Sequence, residues 1–496
     1  MRKIQLWTIA ESSPSKNKDF EEGIGPYALA RIAIDSGLDL EVFQASQYNC
    51  NEEKICKEII NQNPDILAFS IFSPGVSLLE KILKRVSNYP IIIGGPGATT
   101  NPVDVLKRIS TYSTGNHSVL VQGEGEKIFR NLLDTNPDSW INLLEVWRLD
   151  NQGLILPGKF NTLQQLDEKP IPYLQASRLR KENRIRVNDA SLPLEFRLNV
   201  AISLFHSFIE TRRGCFFKCE FCSEPQLSEM GVRKTSPKKA VHEISDLFEN
   251  NGITFFNFTD NIAFDNEEWW KEAASLIQSL PYAEYIQFGG YGTPKFFSKG
   301  TWIEKTLPSL YQSGLCFITV GVQSGSPRIL KDIIHRPADD PENALVLAKA
   351  MVPYGIKIKT DFIVDHPTET IKDLRLTLEA IKRIYEAGAQ IFVRRLNIVP
   401  NSGYELHLNN KEYTLPEKTR ESEAVIREIL SYHGKKNNQQ TTFIDRKNKV
   451  LFPRPNYKKG VLEEHKEKLR NSTMPQYILH KYLTLYDLTM ELQSRV

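Results

Sequence analysis

Three of the six cysteines in this chain of 496 residues fall within eight residues, at Cys215, Cys219 and Cys222. The loop reads Thr211-Arg-Arg-Gly-Cys-Phe-Phe-Lys-Cys-Glu-Phe-Cys222 and directly follows an apolar run that predicts a strand. Three thiolates on one loop can bind three irons of a four-iron, four-sulfur cluster. The fourth iron is then open to another ligand, and the amino-acid part of S-adenosylmethionine would fit that vacancy as a bidentate ligand.

The main alternative for clustered thiols is a structural zinc site in a non-catalytic binding protein. Zinc is normally closed by four ligands from two paired knuckles, and the sequence has no second C-x2-C or C-x2-H pair. Cys316 lies in an apolar run that is typical of a core position. A disulfide scaffold would need many more cysteines and an oxidising compartment. The spacing therefore favours an iron–sulfur cluster.

Length and composition indicate a globular chain of more than one domain. The chain is 41% hydrophobic and 25% charged, with a formal net charge of +3. This small charge gives no argument for nucleic acid or an anionic membrane as a partner. The longest apolar stretch is broken by polar residues and falls short of the roughly 20 residues that span a bilayer. We therefore expect a cytoplasmic protein without a membrane or nucleic-acid partner.

The residues before the cysteine loop alternate short apolar runs with helical stretches, as in a buried parallel sheet with helical crossovers. This pattern predicts an α/β, doubly wound (Rossmann-like) domain over residues 1–160 and a linker over 161–205. The predicted strands are Lys3–Ile9, Leu40–Phe43, Asp65–Ile71, Pro90–Gly94 and Val119–Val121. In such sheets the ligand binds beyond the carboxyl ends of the strands.

A second β–α series begins near Ser207. Its six predicted strands are Phe208–Arg212, Ile253–Phe258, Tyr285–Phe288, Phe317–Val322, Lys357–Val364 and Ile391–Ile398. Six strand–helix units are fewer than the eight of a full barrel, so we predict a partial (β/α)6 barrel over residues 206–400. Residues 401–496 are polar and mostly helical in pattern, and we expect them to form a C-terminal region related to the substrate.

The cysteine spacing, with Phe221 before the last cysteine, resembles the radical S-adenosylmethionine (radical SAM) superfamily. The resemblance covers about residues 200–400, because further motifs follow in the family's order. These are Phe258-Thr-Asp-Asn261, Gly321-Val-Gln-Ser324, Arg336 and Asp361-Phe-Ile-Val-Asp-His-Pro-Thr-Glu-Thr370. In the last motif, Asp365 and Thr368 replace two glycines of the family pattern. Pro400-Asn-Ser-Gly403 also departs from the usual P-G-T.

The resemblance implies a role for each matched residue. It implies cluster binding by Cys215, Cys219 and Cys222, adenine packing by Phe221, a contact with the methionine amine at Asp260, contacts with the ribose and carboxylate at Gln323 and Ser324, and a carboxylate contact at Arg336. Taken singly, each motif has a structural reading, such as a helix cap at Asp260. Their order on successive strand ends favours the family.

The N-terminal domain resembles the cobalamin-binding domains that precede some radical SAM barrels. The resemblance lies in strand ends rich in glycine, which let the backbone approach a bulky corrin. The residues that it implies as cobalamin contacts are Ser70, Phe72, Ser73, Gly94, Gly95, Gly123, Glu124 and Gly125. A D-x-H-x-x-G motif is absent, so we expect no histidine ligand to cobalt from that position. The domain could also persist as a scaffold without cobalamin.

Together these resemblances imply a cobalamin-dependent radical SAM methyltransferase with a [4Fe-4S] cluster, S-adenosylmethionine and cobalamin as cofactors. Its expected products include both 5′-deoxyadenosine and S-adenosylhomocysteine. The substrate would be a small molecule or peptide, and a flavodoxin or ferredoxin would supply single electrons. Candidates for substrate contacts are Tyr291, Arg394 and Arg395, although both arginines could instead form ion pairs. A radical cyclisation, rearrangement or epimerisation remains the alternative outcome.

Overall fold

The computed structural model shows two compact units, which are described separately below. The first comprises Met1–Leu204 with two short later segments, and the second comprises most of the chain from Phe205 onward. The residues described are 2–11, 23–110, 112, 118–150, 153–227, 231–297, 302–399, 402–435, 459–471 and 474–494. No helix within these ranges is long and apolar enough to cross a bilayer.

A twisted sheet forms the centre of the first unit. In the described residues its strand order is Asp39–Gln44, Lys3–Ile9, Ile66–Ile71, Ile91–Gly94, Ser118–Leu120, Trp147–Leu149 and Ile155–Leu156. The first five of these pair in parallel and the last two antiparallel. The strand order reverses between Lys3–Ile9 and Ile66–Ile71. The carboxyl ends of these two strands form the switch point, where doubly wound folds bind ligands. The predicted doubly wound sheet is confirmed.

Helices cover the sheet of the first unit because its strands are apolar on both faces. The helices are Gly25–Asp35, Glu52–Gln62, Val76–Val86, Pro96–Thr100, Pro102–Ile109, Glu126–Asp134, Arg178–Asn188 and Leu194–Ser203. One face of the core joins Trp7, Phe43 and Phe69 to the apolar sides of these helices. The apolar residues of the predicted strands are therefore buried between the sheet and its helices.

The stretch 161–205, which the sequence predicts as a linker, contains regular structure. It includes the helices Arg178–Asn188 and Leu194–Ser203, and its residues up to Leu204 belong to the first unit. Ser177 caps the first helix by accepting a hydrogen bond from the Arg180 amide. Glu182 pairs with Arg178 and Arg186, each four residues away, so the charged run stabilises a helix instead of breaking one.

The second unit contains the partial barrel. Its described strands, in spatial order, are His206–Ile209, Phe255–Phe258, Gln287–Gly292, Leu315–Gln323, Lys357–Val364 and Gln390–Arg395. Each pairs in parallel with the next. Because the strands are parallel, all of their carboxyl ends meet at one edge. The predicted (β/α)6 arrangement is confirmed.

Helices cover the outside of this barrel and continue into a helical C-terminal region, as predicted. They are Glu224–Leu227, Pro237–Asn251, Glu267–Gln278, Leu307–Ser313, Pro341–Met351, Ile371–Glu386, Gly403–Asn409, Arg420–Leu430, Lys459–Arg470 and Gln476–Ser494. The last helix packs on the first barrel strands, where the Tyr482 hydroxyl donates to Thr254 Oγ1 at 2.9 Å.

The loop after the fifth barrel strand keeps the backbone of a glycine-containing turn. Asp365 and Thr368 adopt positive φ angles of 69° and 60°. These are the two positions at which the family pattern has glycine, and a residue with a Cβ pays roughly 1–2 kcal/mol in this region. Arg328 supports the turn, because its Nη1 and Nη2 donate to Thr368 Oγ1 and to the Thr368 carbonyl.

We predict that Thr368→Gly is about 1 kcal/mol more stable than Thr368→Ala. Both variants lose the hydrogen bond to the threonine hydroxyl, but only glycine relieves the backbone strain. Urea unfolding of the two variants measures the difference. An alanine variant that equals or exceeds the glycine variant in stability would show that the turn is unstrained.

Candidate active site

The cysteine loop stands on a short hairpin at the end of the first barrel strand. Arg212–Arg213 pairs antiparallel with Arg233–Lys234, which closes the base of the loop. Cys219 is buried, and Cys215 and Cys222 are half-buried. All three thiols are free of disulfides. The structure therefore brings the three predicted ligands together on one ordered loop.

The loop surrounds its thiols with apolar side chains and backbone amides. Cys219 packs against Ile329, Leu330, Ile333, Ile334 and Tyr404. Burial raises the pKa of each of the three thiols, and that of Cys219 rises to about 12. The Glu224 amide donates to Cys222 Sγ at 3.4 Å. Metal binding would therefore release protons from these sulfurs, as expected of thiolate ligands.

Asp260, at the end of the second strand, holds the chain that enters the cysteine loop. Its fully buried carboxylate accepts from the amides of Thr211 and Arg212 at 2.7 and 2.9 Å, and from Arg212 Nη1 at 3.2 Å. It also accepts from the Thr211 hydroxyl. These partners make Asp260 a tie between two strand ends, and the contact with the methionine amine stays a prediction.

Arg212 extends this tie into a buried ionic network. Its Nε donates to Asp265 Oδ1 at 2.8 Å, and Asp265 Oδ2 pairs with Lys234 Nζ at 2.7 Å across the hairpin. The guanidinium also lies over the Trp269 ring, 4.5 Å from its centroid. Sequence reasoning missed Arg212, since nothing distinguishes it from the neighbouring Arg213 before the fold is known.

A second anchor fixes the middle of the cysteine loop through Glu220. The Glu220 carbonyl accepts from the Tyr404 amide at 2.9 Å, and its carboxylate lies 3.0 Å from His335 Nδ1. A Cβ on Gly403 would lie only 1.6 Å from Glu220 Oε2. Gly403 of the divergent P-N-S-G segment is therefore required for this contact, whereas Pro400 and Asn401 lie outside the described residues.

The end of the fourth strand presents Gln323 in a strained conformation. The strand has a bulge here, and Gln323 has a φ of 68° with 4% of its surface exposed. Its Nε2 donates to the Tyr291 hydroxyl at 3.4 Å. A Cβ on Gly321 would lie 2.2 Å from that hydroxyl, so the glycine makes room for the Tyr291–Gln323 contact. Strain of this kind is concentrated at functional sites.

Ser324 turns away from Gln323 and holds the loop to the helix Ile371–Glu386. Its hydroxyl lies 3.2 Å from Thr377 Oγ1 and accepts from the Ser326 amide. Ser326 in turn donates to Asp373. Although burial opposes it, hydrogen bonds from Arg328, Ser326 and Thr370 hold the pKa of Asp373 well below its usual range. Ser324 therefore has a structural role within this loop, and the ribose or carboxylate contact stays a prediction.

Arg336 lies beside the thiols, and part of its guanidinium makes no hydrogen bond within the described residues. It is 5% exposed, pairs with Asp339 and stacks 4.5 Å from the Phe217 centroid. Its charge acts on all three cysteines and on Tyr291. Within the described residues, its buried Nη2 has no hydrogen-bond partner. A buried donor without an acceptor is costly, which fits an anionic ligand group at this point.

A known family model matches part of the second unit. The family model of the radical SAM superfamily matches residues 209–381, which span the cysteine loop and the second to fifth of the six barrel strands. Residues 209–381 are a radical SAM domain. The radical SAM superfamily uses S-adenosylmethionine, so the roles inferred for this loop and for Arg336 concern that cosubstrate.

Known proteins resemble the chain beyond the radical SAM domain. It is 23% identical over 367 residues to an uncharacterized methyltransferase of Pyrococcus horikoshii, covering 72% of this chain and 73% of the relative. It is 22% identical over 333 residues to the anaerobic magnesium-protoporphyrin IX monomethyl ester cyclase of Cereibacter sphaeroides, covering 66% of this chain but 50% of the cyclase.

A solved structure shares the fold. It is the radical S-adenosylmethionine methyltransferase TsrM from Kitasatospora setae, with cobalamin and a [4Fe-4S] cluster bound. The TM-score is 0.61 at 17% identity, over 83% of this chain and 78% of TsrM. At this identity the likeness shows the fold alone: an N-terminal α/β domain, a partial barrel and a helical C-terminus.

The thiols of the radical SAM domain suit a cluster better than a single ion. Zinc requires four ligands that converge on one centre. In a four-iron cluster each thiolate binds a different iron, so the sulfurs need not converge. The buried thiols, the amide donor and the nearby Arg336 fit the cluster.

The aromatic surroundings of the cysteine loop fit the adenine contact predicted for Phe221. The Phe221 ring lies 6.5 Å from His366 and 6.4 Å from Tyr404. His366 is fully buried, and burial lowers its pKa to about 3, so the ring is neutral. Its Nδ1 lies 3.0 Å from the Tyr404 hydroxyl. Sequence reasoning missed both residues, and the role of Phe221 stays a prediction.

The substrate-side candidates take different positions. Tyr291 lines a cavity of about 700 Å³ within the barrel. Arg394 is exposed, and its charge acts on Asp361. Arg395 pairs with Asp365 at 3.0 Å and Glu423 at 2.8 Å, so the ion-pair alternative describes it.

In the first unit, several of the predicted cobalamin-binding residues hold the strand-end loops together. A Cβ on Gly95 would lie 2.8 Å from Ile71 backbone atoms and 2.9 Å from Ser70 Oγ. A Cβ on Gly123 would lie 2.3 Å from the Asn161 carbonyl, and Glu124 Oε2 accepts from the Leu163 amide at 2.6 Å. These glycines serve the approach of one loop to another.

Other predicted contacts leave room for a ligand at this edge. Near Gly94 and Gly125, no atom comes closer than 3.8 Å to an added Cβ. Phe72 is 41% exposed beside half-buried Ser70 and exposed Ser73. An exposed aromatic ring near glycines with free space around them fits a flat, partly apolar cofactor. Phe72 directly follows the strand Ile66–Ile71, which flanks the switch point of the sheet. The contacts themselves stay predictions.

We predict that Asp260→Asn costs about 3 kcal/mol of stability, because it leaves the buried Arg212 with only one of its two carboxylate partners. The same variant should retain less iron, since the entry to the cysteine loop loses its tie. Glu268→Gln removes an exposed carboxylate from a neighbouring helix and should cost less than about 0.5 kcal/mol. Urea unfolding and iron content per chain measure both effects. Equal stability and iron content for the two variants would contradict the proposed tie.

Proposed function

We propose that this protein is a cobalamin-dependent radical SAM methyltransferase that methylates an unactivated carbon of a small-molecule or peptide substrate. One observation carries the proposal: three thiols on one loop, one buried and two half-buried, lie beside Arg336, whose Nη2 is buried without a partner in the described residues. The loop supplies ligands for a cluster, and the guanidinium supplies a counter-charge for the carboxylate of a cosubstrate.

The residues of the radical SAM domain would bind and orient the bound groups. Cys215, Cys219 and Cys222 would hold a [4Fe-4S] cluster, and Arg336 would hold the carboxylate of S-adenosylmethionine. When bound, the cluster supplies the single electron that splits the sulfonium, and cobalamin supplies a carrier for the methyl group. Burial of the loop among Ile329, Leu330 and Tyr404 excludes water from the reacting atoms.

Support for methyl transfer comes from the relatives and from the first unit. The P. horikoshii relative is described as an uncharacterized methyltransferase. TsrM, which has the same fold, was solved with cobalamin bound. Phe72 and the open edges of Gly94 and Gly125 lie beyond the carboxyl ends of the first unit's strands, where such a cofactor would bind. A cytoplasmic reductant such as flavodoxin or ferredoxin would supply the electrons.

A second candidate function is a radical cyclisation or rearrangement. The similarity to the magnesium-protoporphyrin IX monomethyl ester cyclase favours it, although the chain covers half of that relative. The two outcomes differ in their products. Methyl transfer predicts S-adenosylhomocysteine together with 5′-deoxyadenosine, whereas cyclisation or rearrangement predicts 5′-deoxyadenosine alone.

We expect the Cys215→Ala, Cys219→Ala and Cys222→Ala variants each to abolish 5′-deoxyadenosine formation. The assay uses protein reconstituted anaerobically with iron, sulfide and cobalamin, then mixed with S-adenosylmethionine and dithionite. Cys316→Ala is the matched control, because Cys316 lies on the fourth strand, where its thiol donates to the Phe288 carbonyl. It should keep wild-type iron content and turnover.

The same assay separates the alternatives. One zinc per chain, no iron and no nucleoside product from the wild type would indicate the zinc-stabilised binding protein. Turnover that survives loss of all three thiols would contradict the proposal outright. Cobalt counted with iron tests the cobalamin part, and its absence from an otherwise active enzyme would favour the cyclase-type alternative.

A further inference from the structure

The cysteine loop presents one aromatic ring to solvent. Phe216, directly after Cys215, is 56% exposed, whereas the next residue, Phe217, packs against the apolar cluster around Cys219. The guanidinium of Arg336 also stacks on Phe217. Aromatic side chains are enriched at the buried centres of protein interfaces. The exposed ring of Phe216 therefore marks a surface that could take a partner beside a cluster ligand.

Three lysines lie around these two phenylalanines. Lys234 Nζ is 5.6 Å from the Phe216 ring centroid, and Lys295 Nζ is 5.5 Å from the Phe217 ring centroid. Lys218 follows on the same loop, and both Lys218 and Lys295 are exposed. All of these residues belong to the second unit.

The sequence around the loop is more basic than the chain as a whole. Residues 212–239 contain seven Lys and Arg and three Glu, an excess of four positive charges, whereas the formal net charge of all 496 residues is +3. Lys234 is paired with the buried Asp265 and contributes less to the surface. Lys218 and Lys295 supply exposed positive charge next to the phenylalanines. Such a local excess attracts an acidic partner.

We propose that Phe216, Lys218, Lys234 and Lys295, here called the lysine–phenylalanine face, dock the acidic protein that delivers electrons to the cluster. The inference rests on the proposed function and assigns a surface to its reductant. The complementary partner is an electron-carrier protein whose redox centre is surrounded by carboxylates. An aromatic centre with a charged rim is the usual anatomy of a protein interface, and opposite charges guide the encounter.

The location of the face suits electron delivery. One electron leaves the carrier, which is oxidised, and enters the cluster bound by the cysteine loop, which is reduced, while no bond forms or breaks. Electron transfer weakens steeply with distance, so the carrier has to dock close to a cluster ligand. Cys215 is half-buried and adjacent to Phe216 in the chain, so the face offers a short route from the surface to a cluster thiolate.

Nucleic acid is the other partner that a basic surface with an exposed aromatic ring can bind. A protein that binds duplex DNA makes roughly 6–10 phosphate contacts, chiefly through Lys and Arg. The lysine–phenylalanine face has three lysines, and one of them is paired with Asp265. Its position beside the cluster ligands serves an electron carrier and has no use for nucleic acid. The carrier is therefore the occupant that the face favours.

The test titrates the reconstituted whole chain with an acidic flavodoxin by calorimetry, and measures the KM of reduced flavodoxin as the donor for 5′-deoxyadenosine formation. We expect the double variant Lys218→Glu/Lys295→Glu to raise the Kd and the KM about tenfold at low salt, because two attractive rim charges become repulsive. Between about 10 and 100 mM salt the Debye length falls from ~30 to ~10 Å. Wild-type binding should weaken over this range more than binding by the double variant.

The aromatic centre has its own variant. Phe216→Ser should raise the Kd about tenfold and keep the salt dependence of the wild type, because it removes contact area and no charge. Lys349→Glu is the matched control, since Lys349 is exposed near the end of the helix Pro341–Met351, which leads to the start of the fifth strand and so to the opposite edge of the barrel. It should bind flavodoxin as the wild type does.

Dithionite separates docking from damage to the site, because a small inorganic reductant needs no docking surface. All of these variants should keep wild-type iron content and wild-type turnover with dithionite. Equal loss of turnover with flavodoxin and with dithionite would overturn the inference, since the lysines would then support the loop itself. Unchanged Kd and KM in the double variant would overturn it too. So would binding of tRNA that the double variant loses while its affinity for flavodoxin stays at the wild-type value.

These outcomes are distinguishable from failure of the proposed function. A wild-type protein that binds flavodoxin through this face but forms no 5′-deoxyadenosine with either reductant would overturn the radical chemistry and leave the docking face standing. A wild-type protein that cleaves S-adenosylmethionine with dithionite, and whose variants all bind flavodoxin equally, would do the reverse.

Discussion

The buried ion pair between Arg212 and Asp260 is the interaction on which the cysteine loop depends. It joins the ends of the first two barrel strands, which are 48 residues apart in sequence, at the point where the chain leaves the sheet. Two carboxylates, a lysine and an aromatic face surround the guanidinium, so its charge is compensated inside the protein. Removing one partner of such a network costs more than the pair contributes, which makes the local geometry hard to vary.

The site is built from three such anchors around a loop that has little regular structure of its own. Asp260 fixes its entry, Glu220 fixes its middle against Gly403, and Asp373 fixes the neighbouring Gln323 segment through Ser326. Each anchor is a hydrogen-bonded contact with a segment distant in sequence. Parallel strands make this possible, because they deliver all of these loops to one edge.

The sequence predicted the strands and the cysteine loop because both are local patterns. Apolar runs such as Ile66–Ile71 indicate a buried strand directly, and three cysteines within eight residues predict a metal site. Asp260 and Ser324 were placed in the right loops, but the hydrogen bonds that they make within the protein were not predicted. Their hydrogen bonds go to Thr211, Arg212 and Thr377, which are about 50 residues away and are invisible to spacing.

Other features were missed although a signal existed. Lys-Ile-Lys at 357–359 alternates with the period of a strand, and that alternation alone places both lysines on one face. The helix Arg178–Asn188 was hidden by its charge, yet its Arg and Glu residues recur at intervals of four. The positive φ of Thr368 had no signal in the sequence, because threonine seldom adopts this conformation. Hydrogen bonds from Arg328 hold it there.

Mössbauer spectroscopy of protein reconstituted with iron-57, with and without S-adenosylmethionine, tests the central claim that three thiolates leave one iron open. The account predicts a four-iron cluster in which S-adenosylmethionine changes the isomer shift of one iron in four and leaves the other three unchanged. Four irons that are indifferent to S-adenosylmethionine, or a protein that takes up no cluster, would contradict it.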